Sequence, residues 1–309
     1  MSQATSQPIT TELTMPDGTP LAYMAWPWRR AGTPRAHMLL VHGLGEHARR
    51  YDALAEWLQT QGVAVCAYDQ RGHGASGGAR ATLAQPDSLL DDLDSVWQTF
   101  AQTQKTTNAG ADLDVAVDGG VDVRGAPLLV LGHSMGGLVV MRWLARGPTI
   151  GSAPAPQAVI ASSPALGTHA NGLELWVAKT LAKHWPNARL SNGLKLQNLS
   201  HDPAVVQAYK QDPLVHKYIT PRLAQWIITQ GQAAVQAAHS WPLPMLLVYA
   251  GADALVDPSA TDAFAQAAPP IVHTLRLDGA FHEIFNETPQ YRDVALATVS
   301  HWLVQQLRP

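Results

Sequence analysis

The sequence has one cysteine, no long apolar run and no basic leader at its start. A single thiol, Cys66, excludes an internal disulfide, and its apolar neighbours are typical of a buried structural cysteine. No apolar stretch approaches the ~18 residues that a membrane-spanning helix needs. Residues 1–14 lack the basic start and apolar centre of a signal peptide. We therefore expect a soluble, cytoplasmic protein.

Charged residues are also scarce. They make up 15% of the 309 residues, against 46% hydrophobic residues, which excludes a disordered chain. The 21 Lys and Arg residues form no basic run and are outnumbered by 24 Asp and Glu residues, so the formal net charge is −3. A surface that follows a phosphate backbone needs the opposite balance. The composition predicts a globular protein without a nucleic-acid partner.

Short apolar runs alternate with helix-like patterns along most of the chain. Two runs around a turn, 9–13 and 21–26, predict an N-terminal hairpin. Six further runs, the earlier of which lack strict alternation, predict strands at 36–41, 63–68, 127–131, 158–161, 245–249 and 271–277. Apolar residues at helical spacing predict helices at 51–60, 89–104, 135–145, 260–266 and 291–307. This order predicts an α/β fold with a mostly parallel central sheet flanked by helices.

Two stretches interrupt this order. Residues 166–240 contain no predicted strand. Five apolar residues recur there at helical spacing, namely Leu173, Trp176, Val177, Leu181 and Trp185. We expect a helical cap at 166–240, inserted between two strands of a core formed by 1–165 and 241–309. Residues 105–125 predict an exposed hairpin or, equally, an acidic loop, and their aspartates lack the pattern of a calcium loop, so we predict no metal site.

A nucleophile pattern lies between a predicted strand and a predicted helix. Ser134 is the central residue of the GxSxG segment from Gly132 to Gly136. Such a strand-to-helix turn pushes a serine hydroxyl into a cleft, and its glycines leave space where side chains would collide. The alternative, a glycine-rich junction with an incidental serine, is disfavoured because both flanking elements are predicted.

A serine nucleophile needs a base and a group that orients the base. Asp253 and Asp257 both follow the strand at 245–249, and His282 follows the next strand. The chain order serine, acid, histidine is that of a hydrolase triad. We interpret Asp253 as the acid and Asp257 as the cap of a helix that begins at Pro258. Twelve other histidines are present, so the prediction that His282 is the base rests on its position after the strand at 271–277.

The tetrahedral intermediate of acyl transfer needs backbone donors for its oxyanion. A glycine-rich turn follows the strand at 36–41 and can direct the N–H of Leu44 inward. The N–H of Met135, directly after the serine, is the second candidate. A plain strand-to-helix turn is the alternative for this segment. A phosphate loop is disfavoured because its Gly-Lys-Ser/Thr ending is absent from the sequence.

Six segments together carry a resemblance to a known family. They are His42-Gly43-Leu44-Gly45-Glu46-His47 with Arg50-Tyr51, Asp69-Gln70-Arg71-Gly72-His73-Gly74-Ala75-Ser76, Gly132-His133-Ser134-Met135-Gly136-Gly137, Asp202-Pro203 with Asp212-Pro213-Leu214, Gly251-Ala252-Asp253, and Gly279-Ala280-Phe281-His282. Over nearly its whole length the chain resembles the monoacylglycerol lipase and lysophospholipase branch of the α/β-hydrolases. The resemblance implies an α/β-hydrolase fold, a triad of Ser134, Asp253 and His282, and an oxyanion hole at Leu44 and Met135.

The resemblance also concerns the alcohol end of the pocket. Glu46 and Arg50 match a glutamate and an arginine that lie near the glycerol in enzymes of this type. A histidine often follows the catalytic histidine by three positions, but here that residue is Phe285. An aromatic ring cannot exchange a hydrogen bond with a buried hydroxyl, which weakens the prediction of glycerol recognition. We include Glu46, Arg50, Trp176 and Phe285 as candidate substrate-binding residues.

These observations predict a serine hydrolase that cleaves fatty-acid esters, with monoacylglycerols as the expected substrates and no metal or organic cofactor. A general carboxylesterase or a lysophospholipase is the nearest alternative, followed by an aminopeptidase and a non-catalytic scaffold of the same fold. The apolar face around Trp176 is expected to line an acyl channel and make transient, peripheral membrane contact, or to pack the cap onto the core, and the two roles are compatible. The acyl chain length and the oligomeric state are left open.

Overall fold

A computed structural model describes residues 7–106, 125–151 and 153–307. The strands are β1 Ile9–Thr14, β2 Pro20–Ala25, β3 Ala36–Val41, β4 Val63–Tyr68, β5 Leu128–His133, β6 Ala158–Ser162, β7 Leu190–Ser191, β8 Tyr218–Ile219, β9 Met245–Ala250 and β10 Val272–Leu277. The helices are α1 Asp52–Thr60, α2 Ser88–Thr106, α3 Met135–Arg146, α4 Gly172–His184, α5 Pro203–Gln211, α6 Pro221–Gln236, α7 Pro258–Ala267 and α8 Pro289–Gln306. Short 3₁₀ turns lie at Ala48–Tyr51, Leu196–Asn198, Ala238–Ser240 and Ile284–Asn286.

Eight of these strands form one sheet in the order β1-β2-β4-β3-β5-β6-β9-β10. The pairs β1–β2 and β2–β4 are antiparallel, and every other neighbouring pair in this sheet is parallel. The prediction of an N-terminal hairpin beside a mostly parallel sheet is confirmed. Parallel order places the carboxyl ends of β3, β5, β9 and β10 at one edge of the sheet, where loops from distant parts of the chain meet.

Helices cover both faces of the sheet. One apolar cluster packs under α2 and α3 and includes Trp97 and Trp143, both fully buried. The other packs under α1 and α8 and includes Leu58 and Trp302. Strands β3, β5 and β9 are buried along their whole length, which is why their sequences do not alternate between apolar and polar residues.

The segment between β6 and β9 contains helices α4, α5 and α6. Asp202 caps α5 and Thr220 caps α6, and in each case proline is the first helical residue, as helix starts favour. The prediction that 166–240 contains no strand is wrong, because β7 and β8 pair through Leu190–Ile219 and Ser191–Tyr218. Two residues are too few to produce a periodic pattern, and their partners are remote in sequence.

The apolar face of α4 does not pack onto the core. Leu173, Trp176 and Trp185 are 70%, 63% and 62% exposed, and Val177 is exposed as well. The alternative that this face joins the cap to the core is therefore wrong for these residues, while Leu181 is half-buried. Hydrophobic periodicity shows that a helix has an apolar face but does not show what covers it.

The described part of the chain contains no helix long and apolar enough to cross a membrane. Nor do the described residues include a cluster of three or more His, Cys, Asp or Glu side chains that could hold a metal ion. Most of the excursion predicted at 105–125 lies outside the described residues.

Candidate active site

Ser134 lies at a sharp turn between β5 and α3. Its φ of 53° is in a region that residues other than glycine rarely adopt. Gly132 and Gly136 make the turn possible because neither has a side chain, so backbone segments can approach each other closely. A Cβ on Gly132 would lie 2.6 Å from the carbonyl oxygen of Gly136, and a Cβ on Gly136 would overlap the carbonyl oxygen of Val41. The GxSxG pattern therefore reflects a strained turn pressed against β3.

Three side chains form a continuous chain of hydrogen bonds at this turn. His282 Nε2 lies 2.9 Å from Ser134 Oγ. His282 Nδ1 lies 2.6 Å from Asp253 Oδ2, while Asp253 Oδ1 accepts from the backbone N–H groups of Leu255 at 2.8 Å and Val256 at 3.0 Å. His282 and Asp253 are each 5% exposed. The structure thus brings together the three residues that the sequence predicted as a triad.

Neighbouring carboxylates change the pKa of His282. Burial alone would lower the pKa of His282, but the Asp253 carboxylate, followed by Glu283 and Glu46, raises it above its ordinary value. Burial raises the pKa of Asp253, but His282 and the two backbone donors outweigh this and lower it. Asp253 therefore stays ionised and stabilises an imidazolium on His282.

The second aspartate has a separate role. Asp257 caps α7 by accepting a hydrogen bond from the backbone N–H of Ser259 at 3.0 Å, and Pro258 is the first residue of the helix. The prediction that Asp257 caps this helix is confirmed.

The two residues predicted to form the oxyanion hole, Leu44 and Met135, both line the cavity at Ser134. Met135 is the first residue of α3, so its N–H has no acceptor within the helix. Leu44 lies in the turn after β3. That turn is held by Gln70, whose side-chain Nε2 donates to the carbonyl oxygen of His42 at 2.6 Å, and by Glu46 Oε1, which accepts from the N–H of Gly43 at 2.6 Å.

A buried ion network forms one wall of the site. Arg50 Nη1 donates to Glu46 Oε2 and to Glu283 Oε1, each at 2.6 Å, and Arg50 Nη2 donates to Glu283 Oε2 at 2.7 Å. Tyr51 donates its hydroxyl hydrogen to Glu46 Oε1 at 2.6 Å. Burial would raise the pKa of Glu46, but Arg50 and neighbouring histidines lower it to about 2. Glu46 is therefore ionised at neutral pH.

Sequence reasoning missed Glu283 and Tyr209. The ring of Tyr209, on α5, lies 4.5 Å from the guanidinium carbon of Arg50, in cation–π contact. Glu283 directly follows His282, and an acidic residue next to the candidate base was the available signal. Tyr209 lies in the segment between the two Asp-Pro pairs that carried the resemblance, but its spacing did not single it out.

The loop that carries His282 is tied to the segment between β6 and β9. The buried Glu287 accepts at Oε1 from the backbone N–H of Phe281 and from His201 Nδ1, both at 2.7 Å. The ring of His201 stacks on that of Phe281, with centroids 3.6 Å apart. This contact fixes the residue that precedes His282 against the start of α5.

A cavity of ≈ 190 Å³ lies over Ser134 and is lined by two chemically different groups of side chains. The apolar group consists of Leu194, Leu199, Ile219, Ala224, Ile227, Ile228, Leu255 and Val256. The polar group, called the polar wall below, consists of Glu46, His133, Tyr209 and Glu283. A second cavity of ≈ 360 Å³, beside α4 and α6, shares Ala165, Gly167, Thr168, Ile227 and Ile228 with the first.

Three of the four candidate substrate-binding residues do not line either cavity, and only Glu46 does. Arg50 lies behind the cavity wall, where it donates to Glu46 and Glu283. Phe285, in the 3₁₀ turn at Ile284–Asn286, packs against the apolar cluster beneath α1 and α8, and Trp176 lies on the exposed face of α4. These expectations are therefore corrected: the residue after His282 that lines the cavity is Glu283.

Comparisons with known proteins show the family to which the chain belongs. Residues 32–289 match the model of the family Hydrolase_4, described as "Serine aminopeptidase, S33". The chain is 33% identical over 284 residues to a monoacylglycerol lipase of Mycolicibacterium smegmatis, covering 91% of this chain and 92% of that protein. It is 28% identical over 285 residues to a monoglyceride lipase of Rattus norvegicus, covering 91% and 86%.

Solved structures show the same fold. A monoacylglycerol lipase of Paleococcus ferrophilus superposes with a TM-score of 0.74 at 28% identity, covering 93% of this chain and 99% of that one. A monoglyceride lipase of Saccharomyces cerevisiae superposes with a TM-score of 0.83 at 22% identity, covering 100% and 98%. The chain belongs to the Hydrolase_4 family of the α/β-hydrolases, in the branch that includes the monoacylglycerol lipases.

Proposed function

We propose that this protein, a carboxylic ester hydrolase, cleaves fatty-acid esters, and monoacylglycerols in particular, through a triad of Ser134, His282 and Asp253. The observation that carries the proposal is the hydrogen-bonded chain of these three side chains beneath a cavity lined by apolar side chains and by a polar wall. An apolar wall suits an acyl chain, and a polar wall suits the hydroxyl groups of the alcohol.

The reaction proceeds in two acyl transfers. His282 Nε2 takes the proton of Ser134 as Oγ bonds to the ester carbon, and the carbonyl oxygen becomes an oxyanion held by the N–H groups of Leu44 and Met135. The bond from carbon to the alcohol oxygen then breaks, and the alcohol leaves with the proton from His282. Water next gives a proton to His282 and attacks the acyl carbon. Ser134 recovers its proton, and the carboxylic acid is released.

The two cavities supply a path for the acyl chain. Ile227 and Ile228 of α6 line both the cavity over Ser134 and its larger neighbour. An acyl chain that extends past these residues remains in apolar surroundings, which favours long-chain over short-chain esters. On the polar wall, the Glu46 carboxylate can accept a hydrogen bond from the alcohol, and the Tyr209 hydroxyl can accept or donate one.

The inserted segment acts as a cap in this proposal. We assign 1–165 and 241–309 to the catalytic core and 166–240 to the cap, whose helices α5 and α6 contribute Tyr209, Ile227 and Ile228 to the cavity wall. The apolar face of α4 is exposed to solvent. With Lys179 and Lys183 on the same helix, this face suits transient contact with a membrane or micelle surface that carries the substrate.

Replacing Trp176 by serine tests this contact. We expect a severalfold lower rate on a long-chain monoacylglycerol presented in anionic vesicles, since a tryptophan that inserts into the membrane interface is a strong anchor. The kcat/KM for a water-soluble short-chain ester should not change. Val304→Ser, at an exposed apolar position on α8, is the matched control. An equal loss on both substrates, or the same loss in the control, would contradict membrane contact through α4.

A panel of substrates tests the proposed activity. We would compare 1-monoacylglycerols of increasing chain length with fatty-acid methyl esters, lysophospholipids and an aminoacyl arylamide, using Ser134→Ala as the blank. The proposal predicts the highest kcat/KM for a monoacylglycerol, rising with chain length. Equal rates on simple esters would reduce the activity to that of a general carboxylesterase. Cleavage of the arylamide alone would indicate an aminopeptidase.

A further inference from the structure

The polar wall of the cavity contains two carboxylates, which are bonded to one guanidinium behind them. Glu46 and Glu283 are 3% and 4% exposed, and both line the cavity over Ser134. Arg50 lies between them, with both of its terminal nitrogens donating to their oxygens. The ring of Tyr209 covers the guanidinium. Arg50 is therefore committed to the protein's own carboxylates and does not present a free fork to a substrate anion.

The surroundings supply no second cation that could balance the second carboxylate, because His282, which also lines the cavity, is paired with the carboxylate of Asp253. Among the described residues that line this cavity, none is a lysine or an arginine. Burial, followed by the neighbouring His282, lowers the pKa of His133 to about 4, so this imidazole is neutral at neutral pH. The wall thus carries one more negative than positive charge. Charges are screened weakly among buried side chains, so this excess negative charge acts strongly on any charged group that enters the cavity.

This wall lies next to the reacting atoms. A Cβ built on Gly43 would lie 2.8 Å from Glu46 Oε1 and 3.1 Å from Ser134 Cβ, so this carboxylate and the serine border the same point. Glu283 directly follows His282 in sequence. In the proposed reaction these carboxylates therefore border the space that the leaving alcohol of an ester at Ser134 would occupy.

We propose that Glu283 is a specificity-determining residue that makes the alcohol site net negative, so that the enzyme accepts neutral and cationic alcohols and excludes phosphate-bearing ones. The inference rests on the proposed ester hydrolysis. If Glu46 were the only acidic partner of Arg50, the two charges would cancel and the wall would have no net charge. Glu283 adds the excess charge, which repels a phosphate and attracts an ammonium group.

Three esters with one acyl chain test the proposal: 1-decanoylglycerol, decanoylcholine, and 1-decanoylglycerol 3-phosphate. Wild-type enzyme should hydrolyse decanoylcholine with a kcat/KM at least equal to that for 1-decanoylglycerol, and the phosphate at least about a hundredfold more slowly than 1-decanoylglycerol, since the negative wall attracts an ammonium group and repels a phosphate. Glu283→Gln keeps the shape and an acceptor for Arg50 but removes the charge. In this variant, the ratio of kcat/KM for 1-decanoylglycerol to kcat/KM for its phosphate should fall by about tenfold.

Glu12→Gln, the same change on the exposed strand β1, is the control and should leave the ratio unchanged. A second readout is the acid limb of kcat/KM for decanoylglycerol. Glu283 is one of the charges that raise the pKa of His282, so the limb should move to lower pH in Glu283→Gln and not in the control. A loss of packing alone would leave this limb in place.

The outcomes separate the inference from the proposed function. Wild-type enzyme that hydrolyses all three esters equally would overturn the role of Glu283 and leave ester hydrolysis standing. An unchanged substrate ratio in a folded Glu283→Gln variant would overturn it as well. If that variant does not fold, the wild-type ranking of the three esters decides. Failure to hydrolyse any of them would contradict the proposed function, and the inference with it.

Discussion

Ser134→Ala is expected to lower the turnover of a monoacylglycerol by at least about three orders of magnitude, because the acyl transfer loses its nucleophile. The fold should persist. The Ser134 hydroxyl bonds to His282, whereas the turn is held by backbone contacts, such as the Ser134 N–H that donates to the carbonyl oxygen of Ser162 at 2.9 Å. The measurement is kcat for the variant together with its thermal unfolding midpoint.

Ser95→Ala is the matched control for this variant. Ser95 lies on α2, and its hydroxyl bonds to the carbonyl oxygen of Asp91 within its own helix. The same hydroxyl deletion there should leave kcat within about twofold of the wild type, as is usual for surface positions. If Ser134→Ala kept comparable activity while folded, Ser134 would not be the nucleophile.

Asp253→Asn and Asp257→Asn are expected to differ greatly in their effects. An amide in place of the Asp253 carboxylate would not hold the imidazole in the required tautomer or stabilise its charged form, and the corresponding change in a serine protease lowers kcat about 10⁴-fold. Asp257 caps α7, so its replacement should cost stability of about 1 kcal/mol or less and leave kcat nearly unchanged. The measurement is kcat for both variants under the same conditions.

The pH profile gives the same pair a second test. Asp253 raises the pKa of His282, so its loss should lower that pKa and keep the imidazole neutral to more acidic pH. The acid limb of the residual activity should therefore move to lower pH in Asp253→Asn and stay in place in Asp257→Asn. The reverse ranking of the two variants would show that Asp257 is the acid.

Much of the fold could be predicted because its signals are local. The buried strands β3, β5 and β9 are continuous apolar runs, and Gly132 and Gly136 mark the turn that holds Ser134. In a parallel sheet, residues that follow different strands meet at one edge. This rule explains why Ser134, Asp253 and His282, which the chain order and the family resemblance predicted as a triad, lie close together.

The rest depended on contacts between remote residues. Arg50 and Glu283 are 233 residues apart, and no pattern in either segment pairs them. Phe285 lies in a three-residue 3₁₀ turn, which is too short to predict. The pairing of β7 with β8 involves only two residues of each strand, and the two strands are far apart in sequence. The exposure of Trp176 likewise required the position of its helix on the core.

Labelling with an organophosphonate tests the central claim most directly, since this electrophile is attacked by an activated serine and leaves a stable covalent adduct. Mass spectrometry of the digested protein should place one adduct on the peptide that contains Ser134. His282→Ala should slow the labelling strongly, because the hydroxyl then lacks its base. An adduct on another residue, or an active enzyme that is not labelled, would contradict the triad.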